Sequence, residues 1–93
     1  MEHFTVQNML DMQNQLQEKY KDKWEHICPE TGKSKLLWLM AELGEVIDIV
    51  KKQGPGCIMQ SPATRHDFVE EMADVLMYFN DIMLCFGITE DEL

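Results

Sequence analysis

The chain has 93 residues, enough for one domain (1–93) with a small core, and short chains of this kind often gain stability by self-association. A hydrophobic content of 45% excludes a disordered chain, and a formal net charge of −9 excludes non-specific binding to nucleic acid, whose phosphates it would repel. Three cysteines, Cys28, Cys57 and Cys85, without a CxxC pair, argue against a disulfide framework and for reduced thiols in a cytoplasmic protein.

The first predicted element runs from about Thr5 to Trp24. Phe4, Val6, Met9, Leu10, Gln13, Leu16, Tyr20 and Trp24 recur near helical spacing, with Thr5 as N-cap and Gln, Asn, Lys and Asp on the opposite face. The Met1–Val6 stretch has no basic region and no long apolar run, so no signal peptide is expected. The segment His26–Gly32 reads as a loop from its proline and glycine. A second helix is expected from Lys33 or Ser34 to Gln53, stopped by Gly54-Pro55-Gly56. Cys57 to Ala63 reads as a connection, and a third helix as Ala63 to Phe86 with Gly87 as its stop. Thr89-Glu90-Asp91-Glu92 resembles the capped first turn of a further helix. No segment alternates as a strand does, and charges interrupt every apolar run, so neither a sheet nor a membrane span is expected. The fold class is all-α: a helical bundle of three long helices plus a short C-terminal turn.

Two segments of this bundle echo each other. Glu42-Leu-Gly-Glu45-Val-Ile and Glu71-Met-Ala-Asp74-Val-Leu each hold two carboxylates three residues apart, followed by two aliphatics. Side chains at i and i+3 share a helix face. On a helical wheel the acids border the apolar stripe of each helix: Leu39, Leu43, Val46 and Val50 on one, and Met72, Val75, Phe79, Ile82 and Phe86 on the other. Packing the stripes together would gather four carboxylates at the rim of the seam. Like charges so gathered need a cation, and oxygen-only ligands suit Mg²⁺, or Mn²⁺ as a substitute, better than zinc. The competing reading is four solvated acids on ordinary amphipathic helices. His26, Cys28, Cys57 and His66 match no common zinc spacing.

Helix two also carries a second apolar strip of Leu37, Met40, Gly44 and Ile47. A helix apolar on two sides needs neighbours on two sides, so a bundle completed by a second chain, as a dimer or tetramer, is expected. The eight methionines read as adaptable core or interface filler.

The paired acids, with Leu39-Met-Ala-Glu-Leu-Gly-Glu-Val46 around the first and Glu70-Glu-Met-Ala-Asp-Val-Leu76 around the second, resemble the signature of the MazG-like all-α nucleoside triphosphate pyrophosphohydrolases. The resemblance covers about Lys35 to Ile82 and extends more weakly to helix one. It implies an oligomeric bundle whose acids, here Glu42, Glu45, Glu71 and Asp74, hold Mg²⁺. It also implies cleavage of a nucleoside triphosphate to the monophosphate and pyrophosphate, with one glutamate, Glu45 by our reading, handling the attacking water. Ala41 stands where the family often has another glutamate. Many relatives use Lys and Arg from a further helix beyond the turn at Thr89–Glu92, so phosphate contacts are sought at Lys33, Lys35, Lys51 and Arg65. Trp24, Trp38, Tyr78 and Asp81, with Lys35, are the substrate-contact candidates; packing or a solvated surface is the competing reading of each. Asp48 reads as an exposed acid. The competing functional reading is a helical oligomerisation or regulatory module that keeps the fold and has weak or no catalysis.

Overall fold

A computed structural model describes residues 4–93; the reading of Met1 to His3 as carrying no leader falls outside them. The described chain forms four helices and no strand: α1 (Val6–Lys19), α2 (Pro29–Gln53), α3 (Pro55–Gln60) and α4 (Pro62–Cys85). No helix is long and apolar enough to cross a membrane.

Local chemistry sets each boundary. Thr5 and Asn8 form a capping box at the start of α1, each side chain bonding the other's backbone N–H. This helix stops at Lys19, not at Trp24 as the periodicity suggested. Tyr20 to Lys23 turn instead, and the turn brings Trp24 back to stack on Tyr20 at 4.8 Å between ring centroids. The predicted loop at His26–Gly32 is also shorter than expected. Pro29 is the first residue of α2, where a fixed φ and a missing N–H suit a helix start. Gly32 is already helical, and its place there is set by packing: a Cβ on it would lie 2.6 Å from the Phe86 ring and 3.0 Å from Cys85 Cβ.

The Gly54-Pro55-Gly56 stop holds, with Gly54 at φ +85, but Pro55 at once starts the short helix α3 inside the expected connection. Ser61 then caps α4 by accepting the Thr64 N–H. At its far end Gly87 takes φ +64, while Gly87 N–H donates to Leu84 O and Ile88 N–H to Met83 O. This pair of bonds is a Schellman stop. The turn at Thr89–Glu92 is a second capping box, with Thr89 N–H on the Glu92 carboxylate and Glu92 N–H on the Thr89 hydroxyl.

The helix α4 is the hub. It packs against α1, α2 and α3, whereas α1 touches no other helix. The buried apolar core is small, consisting of Leu10, Ile58, Ile82, Met83 and Cys85. Most of the α2 and α4 stripes stay open: Leu43, Met72 and Phe79 are all exposed, and so is the second strip of Leu37, Met40 and Ile47. An apolar groove lined by Leu39, Leu43, Val69, Met72, Leu76 and Phe79 runs along the pair. The accessible surface is 6936 Å², roughly 1,300 Å² more than expected of a compact monomer of this length. The radius of gyration, 15.1 Å, also exceeds the ~13 Å of a compact chain of about this size. The described protomer is thus an all-α bundle with an apolar flank left bare.

Candidate functional site

The stripe positions of α2 and α4 lie across a common seam, and the acids at its border converge. Carboxylate oxygens of Glu42, Glu45 and Glu71 lie within 4.8 Å of one another. Asp74 is not in that trio; it stands on the adjoining cavity wall with Glu42, and its charge acts on both Glu42 and Glu71. Glu42 and Glu71 are half-buried, and each has a buried Oε2 atom with no hydrogen-bond partner among the described residues. Glu45 and Asp74 are exposed.

This crowding changes the acidity of the group. A hydrogen bond shared with Glu45 is the largest influence on Glu71; burial and the charges of Glu45, Asp74 and Glu42 add to it and push Glu71 up to about 7. Glu42 is raised chiefly by burial, then by Glu45 and Asp74. The crowding thus favours the protonated forms of Glu71 and Glu42 when no cation is bound. Buried oxygens without partners are uncommon because a lost hydrogen bond is costly. A hard divalent cation ligated by oxygen suits both the unpartnered atoms and the repulsion, so the residues present fit Mg²⁺.

Glu42 and Asp74 line a cavity of about 480 Å³, within the usual range of small-molecule sites, while Glu45 and Glu71 are not among its lining residues. Trp24, Trp38, Tyr78 and Met77 supply its apolar walls, and Glu25, Lys35 and Asp81 complete it with Glu42 and Asp74. Trp38 and Tyr78 meet edge to face at 6.3 Å. Every proposed substrate contact, Trp24, Lys35, Trp38, Tyr78 and Asp81, thus lines one space. Of the four cations considered for phosphate contact, only Lys35 is among the lining residues. Lys33, Lys51 and Arg65 are exposed and line no part of the cavity, and Arg65 Nη1 points to Met59 Sδ at 3.7 Å. The acidic face extended to Asp48 leads to the exposed surface, where Asp48 lines a separate small cleft with Lys52 and Asp67.

Opposite the acids, the cavity ends in a buried polar cluster. Lys35 Nζ donates to Asp81 Oδ2 at 3.0 Å, and both side chains are about nine-tenths buried. Gln13 Nε2 and Gln17 Nε2 both donate to Asp81 Oδ1, at 2.7 and 2.8 Å. Lys35 Nζ lies 5.7 Å from the Trp38 ring centroid and 5.9 Å from that of Tyr78. The sequence reading placed Gln13 on the stripe of α1 but gave neither glutamine a role, although a signal was present. Gln13 and Gln17 follow Leu10 at helical spacing on the buried side of α1, where a long amide needs a polar partner. Glu25 and Met77 also went unnoticed; both line the cavity, Glu25 from the irregular segment that follows the turn after Lys19.

A scan against protein-family models, a search of curated proteins and a search of solved structures return no match to this chain.

Proposed function

We propose that this chain hydrolyses a nucleoside or deoxynucleoside triphosphate to the monophosphate and pyrophosphate, as its resemblance to the MazG-like pyrophosphohydrolases implies. One observation carries the reading: the oxygens of Glu42, Glu45 and Glu71 converge within 4.8 Å, Glu42 and Glu71 hold buried oxygens without a partner among the described residues, and Glu42, with Asp74, lines an aromatic-walled cavity beside the trio. Glu42, Glu45, Glu71 and Asp74 are the residues that hold Mg²⁺ in this reading. Bound there, Mg²⁺ would neutralise phosphoryl oxygens and lower the pKa of a coordinated water. Glu45, the solvent-facing member of the trio, is the residue positioned to accept the proton of the attacking water. Glu42 and Asp74, on different helices, border the pocket in which the triphosphate is held in this reading, and Trp24, Trp38 and Tyr78 take the nucleoside against their faces.

The working unit in this proposal is a homo-oligomer, a dimer or a tetramer. The excess surface of roughly 1,300 Å² exceeds the ~800 Å² that each partner contributes to a standard interface, and the bare strips on α2 and α4 supply apolar contact. A second chain of the same composition meets that need on both sides of the pair, and light scattering on a size-exclusion column is expected to give a mass at least twice that of the chain.

The decisive experiment is pyrophosphate release from a panel of deoxynucleoside triphosphates with Mg²⁺. The wild-type chain should release pyrophosphate, and Glu45→Gln and Asp74→Asn should each lose at least about 10²-fold, since even residues outside the metal's own ligand set commonly cost 10–100-fold. Full activity in either variant overturns the assignment. The second reading, a bundle that binds nucleotide with little or no turnover, draws on the single cation lining the cavity among the described residues. Calorimetric binding of a non-hydrolysable triphosphate without pyrophosphate release from any hydrolysable one would establish it.

A further inference from the structure

The cavity is polar at both ends, with different chemistry at each. Lys35 lies seven residues before Glu42 on α2, and Asp81 seven after Asp74 on α4, about 10 Å along either helix. That is the span of an extended nucleotide from its α-phosphate to the far edge of its base. A triphosphate held at the acids therefore directs its base between the aromatic walls toward Lys35.

The far end offers mostly donors. Lys35 has three N–H groups, and among the described residues its only hydrogen bond goes to Asp81. Asp81 is nearly consumed: Oδ1 accepts from two glutamines and Oδ2 from Lys35. Gln13, Gln17 and Asp81 draw on α1 and α4 to fix the ammonium of an α2 residue at the cavity wall. A buried ammonium with uncommitted N–H groups has no acceptor to offer and needs acceptors in return. An exocyclic amino group placed against it would set donor on donor.

We propose that Lys35, held by Asp81, Gln13 and Gln17, selects bases carrying an exocyclic oxo group at this edge over those carrying an amino group: uracil or thymine over cytosine, and hypoxanthine or guanine over adenine. The inference rests on the nucleotide-hydrolysing reading of the same cavity. Lys35 determines specificity here, whereas Asp81, Gln13 and Gln17 act only by positioning it. A site built to hydrogen-bond one substrate group discriminates strongly against an analogue lacking it.

The test compares pairs of nearly equal size, dUTP with dCTP and dITP with dATP, by kcat/KM for pyrophosphate release from the full chain with Mg²⁺. The oxo member of at least one pair should be preferred by about tenfold or more. The double variant Lys35→Met/Asp81→Asn removes the ammonium without leaving a lone buried charge, and its oxo-to-amino ratio should fall to near one, while Lys35→Arg should keep a preference for oxo. Should the double variant fail to fold, calorimetric binding of α,β-methylene dUTP and dCTP to the wild-type chain decides the matter, with tighter binding of the dUTP analogue expected. Equal kcat/KM within both pairs, equal binding of the two analogues, or an unchanged ratio in the folded double variant overturns this inference and leaves the hydrolase standing. Absence of both binding and hydrolysis for every nucleotide overturns the two together.

Discussion

The two ends of the α2–α4 pair answer the same problem, charge near a protein interior, in opposite ways. At the Lys35 end every charge has a partner: one ammonium, one carboxylate and two amides form a closed set across three helices. At the Glu42 end, three carboxylates converge with Asp74 close by, and among the described residues no cationic side chain is bonded to any of them and two buried oxygens have no partner. The first arrangement is neutralised by the polypeptide's own groups, and Lys35 keeps N–H groups to spare. The second is completed only from outside, by protons or by a metal ion.

The largest effect is expected from breaking the closed end. Asp81→Ala leaves the Lys35 ammonium and two amides buried without their acceptor. Removing one member of a buried pair costs about 3–5 kcal/mol, a large share of the 5–15 kcal/mol that holds a typical domain together. Denaturant titration should show a correspondingly lower midpoint or no folded baseline. A loss near zero would mean that water reaches Lys35 freely and that this end is not closed.

The open end should respond in the opposite direction. Glu71 carries a folded-state pKa of about 7, above its ordinary 4.5, so between those values the folded chain binds more protons than the unfolded one. Its contribution to stability is fully present below about pH 4.5 and is lost as pH rises through about 7; Glu42, raised in the same direction, adds to the slope. Metal-free protein should therefore melt at a higher temperature at pH 5 than at pH 7.5, apart from other titrations. Glu71→Gln should raise the pH 7.5 melting point without metal. Mg²⁺ at a hundredfold excess over its dissociation constant should stabilise the wild-type chain by about 2.7 kcal/mol at pH 7.5 and the variant by much less. A melting curve indifferent to both pH and Mg²⁺ would return these acids to ordinary surface groups.

The contrast between the ends was only half legible in the sequence. The acid pairs could be found because a repeated i, i+3 spacing at a stripe's edge fixes a face once a helix forms. The stripes themselves gave α2 and α4, and Gly54 and Gly87 gave their stops. The closed end depends on which helices meet and at what height, since Gln13 and Asp81 are 68 residues apart in the chain. No local pattern encodes such a meeting. Asp81 was placed among the substrate contacts, but its partners on α1 were not foreseen: two turns beyond Asp74 the side chain is buried and bonded to Gln13 and Gln17. Helix starts were misplaced for a related reason. Pro29 and Pro55 were read as breakers, yet each begins a helix once the preceding residue has turned the chain.

Two glycines of α2 give the finest probe of the comparison. Gly32 sits at the closed end, where an added methyl would meet Cys85 Cβ at 3.0 Å and the Phe86 ring at 2.6 Å. The Phe86 ring is 46% exposed and can swing aside, but the Cys85 Cβ is fixed to the backbone of α4. Gly32→Ala should therefore cost about 1–3 kcal/mol, as overpacking does. Gly44, beside Glu45 at the open end, meets nothing within 4 Å in the protomer. There the helix preference for alanine acts alone, and Gly44→Ala should gain about 1 kcal/mol in an isolated protomer. In the oligomer proposed above, Gly44 lies on the strip of Leu37, Met40 and Ile47 that a second chain would cover, and a methyl there holds that chain off. The substitution should then weaken association in light scattering while raising the stability of the dissociated chain at high dilution. If both association and stability improve, Gly44 faces solvent in the assembled protein, and the second chain must seat along the Leu43–Phe79 groove instead.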